Sequence, residues 1–119
     1  MLFNIGLIAS GMLDAFLSSL KQEGVKIKAL AADEAQSLAT SLATIGQLLA
    51  DGNIDRDEAE ALIEVQRFAT EAVFASLEGI GRVAARRATS AGLSSAVGAV
   101  DGAIGVPLLS ALIRKSGEA

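Results

Sequence analysis

Three glutamates, Glu60, Glu64 and Glu71, recur at helical spacing and could bridge a pair of metal ions between helices. Bundle sites of that kind complete their coordination with inward-facing Glu-x-x-His pairs, and this chain has no His. The glutamates share their sector with Arg67, so they read as a solvated stripe and no metal is expected there. Further on, Arg82, Arg86 and Arg87 gather cations suited to a phosphate, an anionic lipid or the acidic turn of a neighbouring subunit.

The acidic turn itself is the sharpest local signal. Asp51-Gly52-Asn53-Ile54, followed by Asp55 and Glu58, resembles the second half of an EF-hand calcium loop, with Gly at the bend and Glu at the final ligand position. Counting back, the first and third ligand positions fall on Gln47 and Leu49, which supply poor or no oxygen ligands. The same residues are explained by a helix start: Asp55 as cap, with Glu58 reaching back three residues later in a capping box.

Other chemistries lack their parts. With no Cys and no His there is no thiolate, no imidazole base and no thiolate- or imidazole-held metal. Ser–Asp pairs without a base offer no activated nucleophile, and no Gly-rich loop matches a nucleotide fingerprint. We therefore expect no catalytic residue and no cofactor. Fourteen acidic against ten basic residues give a net charge of −4, and the absence of Trp and Tyr removes the best stacking platforms, so nucleic acid is not an expected partner. Met1-Leu2-Phe3-Asn4-Ile5 carries no basic residue, which argues against a secretory signal and for a cytoplasmic or particle-assembled location.

The elements that must position these groups are helices. Ala and Leu dominate, aromatic residues are 3% of the chain and there is one Pro, so a single all-α domain over 1–119 is expected, a small helical bundle. Leu2 to Gln22 reads as an amphipathic helix, with Ile5, Ala9, Met12, Leu13, Phe16, Leu17 and Leu20 on one side and Gly24 as its stop. Val25-Lys26-Ile27-Lys28 alternates and reads as a connector. A helical hairpin follows over 33–91, its limbs about 33–50 and 56–91. The first limb has a heptad seam of Ala31, Ala35, Leu38, Leu42, Ile45 and Leu49, with neutral polar residues from Gln36 to Gln47 opposite. In the second limb the charged stripe marks the outside, while Leu62, Ile63, Val65, Phe68, Ala69, Val73, Phe74, Leu77, Ile80 and Val83 cover most of the remainder, so it reads as the central helix, touched on several sides. Arg67/Glu71 and Glu78/Arg82 pair at i,i+4, and Gly79 and Gly81 are points where it bends or breaks. Residues 92–115 form a Gly-rich apolar segment: a short helix over 93–100, a turn near 101–105, and a last helix opened by Pro107.

A mean hydropathy of +0.47 is high for a domain this small, which can bury only about two thirds of its unfolded surface. The expected function is therefore a non-enzymatic structural protein that assembles with itself. The expected interface is Leu38, Leu42, Ile45, Leu49, Phe16 and Leu20, together with Gly98 and Gly102 at small-xxx-small spacing. Two alternatives stand beside it: a membrane-associated or pore-forming protein whose terminal segments insert together, and an adaptor holding another protein's helix. Ala/Gly-rich helical chains of this size look like small phage or mobile-element proteins, a likeness of composition alone.

Overall fold

The computed structural model describes residues 3–21 and 25–115, and every element among them is an α-helix. In chain order these are α1 (Ile5–Leu20), α2 (Val25–Ala50), α3 (Arg56–Ala75), α4 (Arg82–Ile104) and α5 (Leu108–Lys115). They form a small bundle in which α4 packs on all four of the others. None of these helices is long and apolar enough to cross a membrane.

Helix α1 begins where the Asn4 side chain accepts the Leu7 N–H at 3.1 Å, and it ends at Lys21 in the left-handed conformation, φ 55°. The expected stop at Gly24 lies outside the described residues. Ile8, Ala9, Met12, Phe16 and Leu20 are buried, and Asn4, Ser10, Asp14, Ser18 and Lys21 are exposed. Leu7 breaks the pattern at 71% exposure.

Helix α2 starts at Val25, eight residues ahead of the expected Asp33. The alternation at 25–28 had suggested a connector, but Ile27 sits four residues before Ala31 and extends the seam by another turn against the core. Ala31, Ala35, Leu38, Leu42 and Ile45 are buried and Leu49 is partly so. Gly46 belongs here too: a Cβ at this position would overlap the Phe3 ring, which closes over the helix.

The turn after α2 carries Gly52 at φ 76° and leads into a complete capping box. Asp55 Oδ1 accepts the Glu58 N–H at 2.8 Å, and Glu58 Oε1 accepts the Asp55 N–H at 3.1 Å.

The long second limb expected over 56–91 is broken. Helix α3 stops at Ala75, Gly79 adopts φ 84°, buried Ile80 tucks inward, and α4 starts after Gly81. Only a residue without Cβ takes that left-handed φ at little cost, and the reversal lays α4 back along α3. Beyond it the expected turn at 101–105 does not form until Gly105, φ 75°. Burial of Leu93, Ala96 and Val100 carries α4 straight through Gly98 and Gly102. Helix α4, not α3, is therefore the central helix. On it Gly92 lets the Phe16 ring lie against the backbone, and the same ring meets Phe74 edge-on at 4.9 Å and 75°.

Asp101 fastens α5. Its carboxylate accepts the N–H groups of Leu109 and Ser110 at 2.8 and 3.1 Å and the Ser110 hydroxyl at 2.9 Å, so a residue of α4 caps the following helix. Arg56 adds a second tie by donating to the Pro107 carbonyl at 3.0 Å.

Candidate functional site

Helix α3 presents two apolar faces. Ala59, Ile63, Thr70 and Phe74 point into the core. On the far side Ala61, Leu62, Val65, Phe68, Ala69 and Ala72 are all exposed, and none carries charge. Leu62 is 42% exposed, Val65 61% and Phe68 56%. The ionic residues stand on the flank between these faces, which corrects the expectation that they mark the outside.

That flank borders an open groove of about 640 Å³ lined by Asp57, Glu60, Ala61, Glu64, Arg67, Phe68, Glu71, Arg82, Arg86 and Leu112. Arg67 is its fixed point and is only 9% exposed. Its Nε and Nη2 donate to Oε1 and Oε2 of Glu64, both at 2.9 Å, a two-pronged pair stronger than an ordinary surface contact. Glu71 lies 3.9 Å from Nη1, so the expected i,i+4 partner is the weaker one. The guanidinium also stacks 4.7 Å above the Phe68 ring, holding that side chain beside the groove. The Glu78/Arg82 pair expected on one helix is divided by the turn between α3 and α4.

Arg82, Arg86 and Arg87 are exposed; the first two line the groove, and Arg87 is not among its lining residues. Asp57 and Glu58 occupy the first turn of α3, where carboxylates favour the positive end of the helix. The flank of the outer ridge thus carries Asp57 toward one end and, toward the other, Arg82 of α4, which lines a second open pocket with Phe68, Glu71, Ala72 and Ala75.

No protein-family model, curated protein or solved structure matches this chain.

The remaining candidate residues fall elsewhere. Asp51 Oδ1 accepts the Gln47 amide at 3.0 Å, and Asp55 and Glu58 cap each other, so the three acids of the turn all hold internal hydrogen bonds. Among the described residues no group of three acidic side chains is arranged to hold a metal ion. Phe16, Leu20, Leu38, Leu42 and Ile45 are buried in the chain's own core and Leu49 packs against it, so they have little surface to offer a second copy. On the neutral face of α2, Thr40 and Thr44 donate to the carbonyls of Gln36 and Thr40, and Ser41 reaches Gln66 of α3 at 3.2 Å. Nearby, burial raises the Glu34 carboxyl above its usual range; the hydrogen bond from Thr70 opposes that shift and Asp33 adds to it.

Gly98 and Gly102 are exposed, and a Cβ at either would meet nothing within 4 Å. With no neighbour to accommodate, Gly98→Ala and Gly102→Ala are each expected to stabilise the helix by about 0.5–1 kcal/mol and to leave association unchanged. Urea titration and sedimentation check both parts, and weaker association would place a helix against this stripe.

In sequence Leu62, Val65, Phe68 and Ala69 read as part of one broad apolar sector covered on several sides, whereas the structure leaves them exposed. Residues 61, 62, 65, 68, 69 and 72 follow the same helical spacing as the inner set, so the helix carries two apolar stripes rather than one broad one.

Proposed function

We propose that this protein is a non-enzymatic helical assembly component that associates with copies of itself through the outer face of α3. The observation that carries the reading is the uncharged outer face formed by Ala61, Leu62, Val65, Phe68, Ala69 and Ala72, with Val65 and Phe68 more than half exposed on a helix whose inner face is already covered. Apolar surface gains roughly 25 cal/mol for each Å² removed from water, and a contiguous bare ridge is where a soluble helix finds a partner. The two-pronged hold of Arg67 on Glu64 supports the reading, since it stiffens the flank of the ridge and engages the groove's most buried cation.

Sedimentation equilibrium at micromolar concentration tests it. The native chain should have a mass that is a multiple of 12.1 kDa, and Val65→Asp should weaken association at least about 100-fold by placing a charge in an apolar contact. Because Val65 is 61% exposed in the single chain, the same substitution should leave thermal unfolding nearly unchanged at dilutions where both chains are dissociated. A native chain that stays at 12.1 kDa throughout would end this reading and favour an adaptor for another protein's helix.

A further inference from the structure

We infer that the copy covering α3 docks antiparallel, α3 on α3, with a two-fold axis passing between Gln66 and Arg67. This register rests on the self-assembly reading above and adds to it a defined partner geometry.

The pattern along the ridge supports it. In an isologous antiparallel pair, positions equally far on either side of the axis face each other. Val65 and Phe68 are equidistant from the point between Gln66 and Arg67, as are Ala61 and Ala72. Val65 therefore meets the partner's Phe68 at the centre, and Ala61 meets the partner's Ala72 toward each end. Small residues outside large ones let two helix axes approach to about 8–10 Å while the central pair interlocks.

Charge selects the direction independently. Asp57 lies about 14 Å from the axis at 1.5 Å per residue, and Ala75, which lines one open pocket together with Arg82, lies about 13 Å away on the other side. Antiparallel docking brings Arg82 to the partner's Asp57, and the partner's Arg82 to Asp57, on the same flank. A parallel pair would instead bring the acidic ends to the same level and the basic ends likewise, which is unfavourable.

The absence of Cys makes the test direct. Full-length chains carrying Ala61→Cys are mixed with mass-tagged chains carrying Ala72→Cys and oxidised under conditions where the native chain associates. The expected product is the mixed disulfide, at least about fivefold over either like-with-like product, because the axis opposes these two positions. In parallel, Arg82→Glu and Asp57→Arg should each weaken association about tenfold, and the doubly substituted chain should recover most of the loss. Like-with-like disulfides, or charge exchanges without recovery, overturn the register. If no disulfide forms while sedimentation still shows an oligomer, the register fails and the assembly reading survives; a monomeric native chain removes both.

Discussion

Phe16→Ala is expected to lower the unfolding free energy by about 3–5 kcal/mol, the range for deleting a fully enclosed aromatic ring. Phe16 has no exposed surface, meets Phe74 edge-on at 4.9 Å, and lies against the backbone of α4 at Gly92. Its removal opens a cavity where α1, α3 and α4 converge, and rigid helices collapse only partly into such a gap. Gly92→Ala attacks the same contact from the other side. The added Cβ would overlap the ring, so α1 must retreat, at a cost of about 1–3 kcal/mol despite the better helix propensity of alanine. Without the ring that overlap disappears. The double variant should therefore be more stable than the sum of the two losses implies, by at least about 1 kcal/mol. Urea titration of the four chains reads the coupling, and strict additivity would mean that ring and glycine do not touch.

Asp101→Ala is expected to cost about 2 kcal/mol and to loosen α5 selectively. Three donors converge on this one carboxylate, two of them N–H groups at the start of an eight-residue helix too short to persist alone. Losing a capping side chain costs about 0.5–2 kcal/mol, and here the cap also holds Leu108, Leu109 and Leu112 in the core. Amide hydrogen exchange should accelerate in α5 well before it does in α1 or α4. Uniform acceleration across all five helices would show instead that α5 opens only with the whole bundle.

The parts of this fold legible from sequence are those settled by neighbours in the chain. The Asp55–Glu58 capping box needs only a spacing of three, and the seam from Ala31 to Ile45 needs only helical periodicity. Tertiary burial settles the rest. Ile27 looked like part of an alternating connector until the core claimed it, and Gly102 looked like part of a turn until burial of Val100 carried α4 through it. The candidate site was the least legible part, because the two stripes of α3 are equally apolar. Which of them is covered depends on how α4 returns after Gly79, and nothing within α3 encodes that.

The seating of Phe16 against Gly92 also sets a timetable for synthesis. Seventy-six positions separate the two residues, so at ribosomal speed α1 waits roughly 4–15 s for the helix that shelters it. Through that interval Met12, Phe16 and Leu20 stay without their final cover, and their apolar side chains face water until the later helix arrives.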